Sequence, residues 1–230
     1  MTSQYSFYIK NISFDYSVKT FFIYTIGMKN IYIFFYFFSI FLVAENYEPF
    51  QSTYEPLPPT NTIFRNANIY DGEGNELIDT DLIIKDGKVI AIGIDLPSSS
   101  DLKEIDATDK WITPGIIDIH SHMGVYPAPS VKTSSDGNEA TSPVTAEVWA
   151  EHSIWVQDPQ YALALKGGVT TFHVLPGSAN LIGGRGVTAK NLQRNTINSM
   201  KFPNAPHSLK MACGENPKRV YGNRGQMPST

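Results

Sequence analysis

The sequence contains little of what marks several common protein classes. Its single cysteine, Cys213, cannot form an internal disulfide, so cysteine usage indicates neither a reducing nor an oxidising compartment. Positive charge is also scarce, since 18 Lys and Arg residues stand against 22 Asp and Glu residues, for a formal net charge of -4. No basic stripe with interleaved aromatic residues is present. We therefore do not expect nucleic acid to be a partner, because phosphate backbones are bound mainly through clustered positive charge.

Long apolar runs are scarce as well, and the longest covers residues 31–43. In a helix these residues would span about 20 Å, short of the hydrocarbon core of about 30 Å, so a transmembrane helix is disfavoured. Met28-Lys-Asn before the run and Ala44 after it match the charged region and the cleavage point of a secretory signal. We expect residues 1–44 to be a signal-peptide region with Met28 as the true start, and the mature protein to be secreted or periplasmic, in contact with a membrane only during export. The alternative is a protein anchored in the membrane through residues 21–44.

The next residues are predicted to form a linker and then a small sheet. Residues 45–61 carry four prolines and no periodic apolar pattern, which is typical of an extended linker. Short β-like runs follow at Thr62–Tyr70, Leu82–Lys85 and Lys88–Gly93, and the turn Asp86-Gly87 is a strong hairpin signal. The pattern predicts a small antiparallel sheet that needs a second layer to cover its apolar face.

From Gly115 the pattern changes to longer apolar strands separated by helical stretches. Residues 115–122 form a predicted strand, residues 158–166 a helix with Asp158 as its N-cap, and residues 169–175 the next strand. Such a βαβ unit implies a parallel sheet, either in an open doubly wound fold or in a TIM barrel. The pattern by itself does not choose between the two.

The first of these strands ends in two histidines. Because side chains alternate along a strand, Asp118, His120 and His122 share one face. We interpret this strand as buried, where each unsatisfied polar group would cost about 1 to 3 kcal/mol. Two neutral imidazoles can instead bind a divalent ion, most often zinc. The alternative is a pair of hydrogen-bonded polar residues at a strand end.

Several linked motifs carry a more specific signal than the two histidines alone. In order along the chain they are Ile69-Tyr-Asp-Gly, Ile83-Ile-Lys-Asp-Gly-Lys-Val-Ile-Ala-Ile-Gly93, Thr113-Pro-Gly-Ile-Ile-Asp-Ile-His-Ser-His-Met-Gly124 and Gly167-Gly-Val-Thr-Thr171. With these motifs the chain resembles the metal-dependent amidohydrolase superfamily, and most of all its imidazolonepropionase-related branch. The resemblance runs from about Thr62 to Thr230.

The resemblance implies an α/β fold with two parts. Residues 62–112 match the first part of a composite β-sandwich, and residues 113–230 match the first strands of a (β/α)8 TIM barrel, which is incomplete in this chain. His120 and His122 match the family's first two metal ligands, at the carboxyl end of the first barrel strand. Asp118 is a candidate to orient one of the imidazoles from behind, or else an ordinary polar residue of the barrel interior.

The third metal ligand and the roles of the other histidines are less certain from the sequence. Many amidohydrolases bridge two metals with a glutamate or a carboxylated lysine at a strand end, and we favour Glu215 over Lys210 because it stands at the predicted end of a strand. His173 matches no family ligand, so we interpret it as an interior histidine with satisfied hydrogen bonds. We expect His152 and His207 to be ordinary surface residues, and Cys213 to be a small core residue.

The glycine-rich segment 175–186 follows the second strand and so opens onto the expected active-site face. It lacks the spacing of a phosphate-binding loop. Its glycines would let the backbone approach a ligand, and Asn180 or Arg185 would hold a substrate carboxylate. The alternative is a tight loop with Arg185 in solvent.

The function that the resemblance implies is metal-dependent hydrolysis of carbon–nitrogen bonds in small molecules, such as cyclic amides, amidines or peptide-like compounds. The family's catalytic aspartate would lie beyond Thr230, so we expect the chain to be part of a longer enzyme and to be inactive by itself. The alternative is a secreted or membrane-tethered binding module without catalysis. The sequence leaves the substrate, the number of metals and the oligomeric state open, with a homo-oligomer among the possibilities.

Overall fold

A computed structural model describes residues 22–27, 30–35 and 51–230, and the chain divides into two units between Gln51 and Ser52. In the first unit, β1 (Phe22–Gly27) and β2 (Asn30–Phe35) pair in antiparallel fashion. Residues 31–35 of the expected leader therefore lie in β2, whereas Met28 and Ala44 are outside the described residues. In the described parts of the chain, no helix has the length and apolar character needed to cross a membrane.

The second unit begins with a five-stranded sheet. Its strands are β3 (Thr62–Tyr70), β4 (Glu76–Lys85), β5 (Lys88–Gly93), β6 (Lys103–Asp106) and β7 (Trp111–Ile112). Strands β3, β4 and β5 are antiparallel neighbours, as predicted, and positive φ angles at Asp86 and Gly87 form the expected turn. Strands β6 and β7 add to this antiparallel part by pairing with β3 in parallel. This sheet is therefore mixed.

An ion pair between Arg65 and Asp81 stabilises the sheet. Asp81 is buried on β4 and accepts hydrogen bonds from Arg65 Nη1 at 2.6 Å and from the backbone N–H groups of Asn66 at 3.0 Å and Leu96 at 3.1 Å. Burial alone would raise the pKa of the Asp81 carboxyl, but the hydrogen bonds and the Arg65 charge outweigh it, so the pKa lies below its ordinary value. One carboxylate thus ties β3 and β4 to the chain that follows β5.

The second sheet has four strands and carries the histidines. Its elements are β8 (Ile116–Ser121), α1 (Gln160–Lys166), β9 (Val169–Val174), β10 (Ile182–Lys190), β11 (Ser208–Met211) and α2 (Glu215–Gly222). The spatial order is β11-β10-β9-β8. Strands β8 and β9 pair in parallel across α1, which confirms the predicted βαβ unit.

Strand β10 departs from the prediction. It pairs antiparallel to both β9 and β11, so the glycine-rich segment expected to be a loop is a strand from Ile182 onward. Gly184 allows the chain at Val148 to pack closely against this strand, because a Cβ at position 184 would lie 2.6 Å from the carbonyl oxygen of Val148. Since β10 is antiparallel to both neighbours, β11 runs in the same direction as β8 and β9.

Strand β8 is an edge strand, which corrects the expectation of a buried strand. Among the strands that the structure describes it pairs with β9 alone, and its side chains Ile117 and Ile119 are 63% and 77% exposed. Ser121, at the end of the strand, is buried. The described residues thus form a mixed α/β fold, and closure of a barrel is not part of what they show.

A buried carboxylate holds the loop after β8 against α1. Asp158 is fully buried, and it accepts hydrogen bonds from the backbone N–H of Gln160 at 3.0 Å and of Gly124 at 2.8 Å. The prediction of Asp158 as the N-cap of α1 is wrong by one residue, because the N-cap is Pro159. Nearby, the ring of Tyr161 stacks on Phe172, with 5.3 Å between centroids, in the apolar core of this part. The loop that carries His122 is therefore anchored on a packed base.

Candidate metal centre

Three strands of the second sheet, β8, β9 and β11, point their carboxyl ends toward the same edge. His122 follows β8, Leu175 follows β9, and the turn into α2 follows β11. Ligand sites of parallel α/β sheets and barrels form at this edge, because the loops after each strand meet there. The fold therefore brings together segments that are about 50 and 90 residues apart in the sequence.

His122 is held in one tautomer by a backbone group. Its Nδ1 lies 2.9 Å from the carbonyl oxygen of Leu175. Because a carbonyl only accepts, Nδ1 carries the proton and Nε2 of the neutral ring keeps its lone pair. The ring edges of His120 and Tyr126 contact His122 at centroid distances of 5.3 and 5.6 Å. This backbone contact is the kind that orients a metal-binding histidine.

His120 has the same tautomer for a different reason. The Lys210 Nζ lies 3.2 Å from His120 Nε2, and since an ammonium group only donates, Nε2 is again the nitrogen with the lone pair. The positive charge of Lys210, followed by burial and by His122, lowers the pKa of His120, while Asp118 opposes this shift. Burial lowers the pKa of Lys210.

We expected Asp118 to orient an imidazole, but the hydrogen bond that it accepts comes from the backbone. Its Oδ1 accepts a hydrogen bond from the backbone N–H of His120 at 3.0 Å. The carboxylate therefore acts on the backbone of its own strand, two residues away, and stabilises the end of β8 rather than a ring orientation.

The prediction that His173 is a satisfied interior histidine is confirmed. Its Nδ1 lies 2.8 Å from Thr188 Oγ1 and its Nε2 lies 2.6 Å from Ser208 Oγ, so β9, β10 and β11 are linked through one ring. Burial, followed by the charges of His207 and His120, lowers the pKa of His173. Gly186 makes room for this arrangement, because a Cβ there would lie 2.6 Å from Ser208 Oγ and 2.8 Å from His173 Nε2.

Glu215 is not placed as the sequence suggested. Strand β11 ends at Met211, and Glu215 is an exposed residue that opens α2, so the prediction that it ends a strand is wrong. Among the residues that the structure describes, no group of three or more His, Cys, Asp and Glu side chains is placed to hold a metal ion. The group beside the histidines is Lys210. Cys213, expected in the core, is exposed.

The two residues proposed to hold a substrate carboxylate lie in different surroundings. Asn180 is buried, and its amide group donates to Thr145 Oγ1 at 2.6 Å and accepts from the Tyr221 hydroxyl at 2.7 Å. These bonds give Asn180 a structural role. Arg185 lies on β10 with its guanidinium 4.5 Å from the ring centroid of Trp149. Their contact with a substrate stays a prediction, and the burial of Asn180 disfavours it there.

The expectation for the two remaining histidines holds for one of them. His152 is exposed, as predicted for a surface residue. His207 is half-buried, with Nδ1 3.2 Å from the carbonyl oxygen of Gly186 and its ring in an edge contact with Trp149 at 4.6 Å between centroids. The prediction for His207 is therefore wrong, because its position before β11 places it against β10.

A cavity of about 320 Å³ opens beside His122. Its walls come from the segments after the three parallel strands, and they consist of His122, Tyr126, Asn138, Gly177, Ser178, Ala179, Asn216, Arg219 and Val220. Tyr126, Asn138 and Arg219 were not predicted, and of the three only Tyr126 had a signal, because it lies in the loop shortly after β8. A larger cavity of about 610 Å³ lies along residues 129–136 and 152–155 and contains neither His120 nor His122. We therefore consider the smaller cavity the candidate site.

Known proteins similar to the chain include enzymes of one superfamily. No family model matches it. Amidohydrolase tasK from Hapsidospora irregularis is 33% identical over 195 residues, which are 74% of this chain and 20% of that protein. A dihydroorotase from Ligilactobacillus salivarius is 40% identical over 63 residues, covering 26% of this chain and 14% of that enzyme. The crystal structure of an amidohydrolase from Thermotoga maritima MSB8 superposes with a TM-score of 0.67 at 40% identity, covering 74% of this chain and 43% of that one.

These likenesses support the amidohydrolase superfamily. The chain spans a fifth of the length of the tasK protein and less than half of the Thermotoga structure. None of the three singles out the imidazolonepropionase-related branch.

Proposed function

We propose that the chain forms the metal-binding edge of an amidohydrolase that hydrolyses carbon–nitrogen bonds in small amides, within the imidazolonepropionase-related branch. The relatives support the reaction class, because they are named amidohydrolase and dihydroorotase. The observation that carries the proposal is the shared state of the two histidines. His120 and His122 both keep the Nε2 lone pair at the end of one strand. His122 also lines the candidate cavity, and the His120 ring lies 5.3 Å from the His122 ring, centroid to centroid.

The donor set fits a divalent ion, for which we propose zinc. His120 and His122 would hold it through Nε2, the nitrogen that zinc-binding histidines commonly offer. The chemistry that such an ion supplies is activation of water near neutral pH and polarisation of the amide carbonyl. The hydrogen bond from His122 Nδ1 to Leu175 keeps Nε2 unprotonated before any ion arrives. The loop anchor at Asp158 then fixes where that ring stands.

Lys210 replaces Glu215 as the residue we propose to complete the site. Its neutral amine would attack the carbon of CO2, so that a nitrogen–carbon bond forms, one carbon–oxygen π bond becomes a carboxylate, and the amine proton leaves to water. The resulting carbamate presents oxygens where the amine now contacts His120. Glu215 is instead the first residue of α2, beyond the end of β11.

The overall reaction adds a water oxygen to the amide carbonyl carbon, after which the carbon–nitrogen bond breaks and the amine leaves with a proton. The aspartate that would relay this proton belongs to the proposal for the complete enzyme, as do the closed (β/α)8 barrel and the composite β-sandwich. A small-molecule substrate fits the cavity of about 320 Å³, which is at the lower end of the usual size of ligand pockets.

Zinc titration of the chain tests the proposal. Wild type is compared with His120→Ala and His122→Ala, and with His152→Ala as a matched control, because His152 is exposed and contributes nothing to the candidate site. Both site variants should lose zinc binding, and the control should bind zinc as wild type does. Equal zinc binding by all four proteins would show that the site assignment is wrong.

Export is a separate proposal. Translation would begin at Met28 and export would remove the chain through about Ala44, which gives a secreted or periplasmic protein. Amino-terminal sequencing of the protein from its native source tests this, since a product that begins at Thr2 or retains residues 34–38 would contradict it.

A further inference from the structure

The cavity beside His122 is lined by one positively charged side chain and by no negatively charged one. None of its nine lining residues is an aspartate or a glutamate, and the guanidinium of Arg219 is its one permanent charge. The chain as a whole has a net charge of -4. A positive group that faces an otherwise neutral cavity in an acidic protein favours an anionic ligand group.

Arg219 stands on a fixed base. Pro217 and Tyr221 of the same helix are buried, and the Tyr221 hydroxyl donates to the carbonyl oxygen of Ser142 at 2.6 Å or to Asn180 Oδ1 at 2.7 Å. Helix α2 is thereby attached to the body of the unit. The position of the Arg219 backbone is thus set by packing rather than by solvent.

The guanidinium is oriented but largely unused. Its Nη2 donates to Asn216 Oδ1 at 3.3 Å, and Asn216 Nδ2 in turn donates to Ser178 Oγ at 2.5 Å, which links α2 to the loop after β9. Within the part of the chain that the structure describes, Arg219 forms no salt bridge. Because a guanidinium has five N–H donors in a planar fork, most of them remain for a ligand. Arg65, by contrast, is paired with Asp81 and Glu104.

We propose that Arg219 binds a carboxylate of the substrate, so that the substrate is a small carboxylate-bearing amide whose carbon–nitrogen bond lies toward His122. This inference rests on the proposed function, which places the hydrolysed bond beside the two histidines. It assigns the carboxylate to the side of the cavity formed by α2 and not to Asn180, whose amide is occupied inside the protein.

Ligand titrations followed by NMR test the inference without zinc or catalysis. The probes are N-acetylglycine, which carries a carboxylate, and N-acetylglycinamide, its neutral counterpart. Wild type should bind the acid about tenfold more tightly than the amide, since a hydrogen bond to a charged group contributes more than a neutral one. Arg219→Gln should remove this preference, and Arg219→Lys should retain part of it.

Lys218→Gln is the matched control, because it removes the same charge from the neighbouring exposed position, which does not line the cavity. It should keep the preference for the acid. Equal affinity of wild type for both probes, no saturable shift with either probe, or an equal loss in the Lys218 and Arg219 variants would overturn the inference. Both substituted residues are exposed, so thermal melting should match wild type and separate binding from folding.

A failure of the proposed function has a different signature. Zinc-dependent hydrolysis of N-acetylglycine would be followed separately in the complete enzyme. If binding of the acid depends on Arg219 but zinc does not bind at His120 and His122, the result counts against the proposed function alone. Zinc binding at His120 and His122 without any preference for the acid would count against the carboxylate site alone.

Discussion

Lys210 Nζ lies 3.2 Å from His120 Nε2, although their strands occupy opposite edges of a four-stranded sheet. In a flat sheet those edges would be about 14 Å apart, because each neighbouring strand adds about 4.8 Å. Side chains stand roughly perpendicular to a sheet, so the contact requires the sheet to curl with both residues on its inner face. The curl gathers the candidate ligands from β8 and β11 at one place.

Zinc affinity should depend on bicarbonate through Lys210. A carbamate on this lysine would add oxygen ligands beside His120, so bicarbonate should tighten zinc binding by wild type, and Lys210→Ala should abolish the bicarbonate effect. Glu215→Gln should behave like wild type, because Glu215 opens α2 away from the strand end. Isothermal titration with and without bicarbonate measures this. A bicarbonate effect that survives in Lys210→Ala and disappears in Glu215→Gln would reverse the assignment.

Gly186→Ala should destabilise the second unit by about 1 to 3 kcal/mol, as expected for overpacking. The added methyl group would lie 2.6 Å from Ser208 Oγ and 2.8 Å from His173 Nε2, and so would separate the hydrogen-bonded pair. Gly214→Ala makes the same chemical change where no atom lies within 4 Å of the added Cβ. Urea denaturation of both variants is the measurement, and equal stabilities would refute the packing argument.

Asp81→Asn should lower the free energy of unfolding at pH 7 by about 1 to 3 kcal/mol, since it weakens the hydrogen bonds of a buried carboxylate to the part-exposed Arg65 and to two backbone N–H groups. The pKa of the Asp81 carboxyl is depressed in the folded state. Its contribution to stability is therefore fully present above the unfolded-state pKa of about 3.9, and it is lost as pH falls through the folded-state pKa. The difference between wild type and variant should accordingly shrink at low pH.

Asp79→Asn is the control for that series, because Asp79 is an exposed residue on the same strand. Urea denaturation of the three proteins at pH 7 and pH 3 separates the outcomes. A loss in Asp81→Asn that is as large at pH 3 as at pH 7 would mean that the carboxylate charge is not the cause.

The 230-residue chain by itself should bind zinc only weakly and should not hydrolyse amides. The described residues bring two histidines and one lysine together, whereas a catalytic zinc site usually has three protein ligands in fixed geometry. Assays of N-acetylglycine hydrolysis with added zinc check this. Metal-dependent turnover by the chain alone would show that our account of the incomplete site is wrong.

Local signals predicted the local parts of the fold. The Asp86-Gly87 hairpin and the βαβ unit around α1 follow from turn chemistry and apolar periodicity, and both are present. Strand β10 was missed because its glycines carry no β-like pattern, and they serve instead to admit Val148 and the His173–Ser208 pair. Periodicity reports which residues are apolar, and it does not report how closely two backbones approach.

Only the closeness of His120 and His122 in the candidate site could be predicted from the sequence. His120 is on β8 and His122 directly follows that strand, so their separation of two residues keeps the rings close, with centroids 5.3 Å apart. Lys210 is 90 residues from His120, and their contact depends on the curl of the sheet. The expectation that Glu215 ends a strand is wrong because the strand was taken to be four residues too long, and β11 in fact ends at Met211. An error of this size at a strand end is enough to move a side chain out of a site.

The imidazole ¹⁵N NMR spectrum of the chain, recorded with and without zinc, reports directly on the protonation and metal binding of each ring. His120 and His122 should both carry the proton on Nδ1 in the absence of zinc, and zinc should shift the Nε2 resonances of these two rings while those of His173 stay in place. Nε2 resonances of His120 and His122 that zinc leaves unchanged, or that show a protonated Nε2 in the neutral ring, would contradict the proposed metal site.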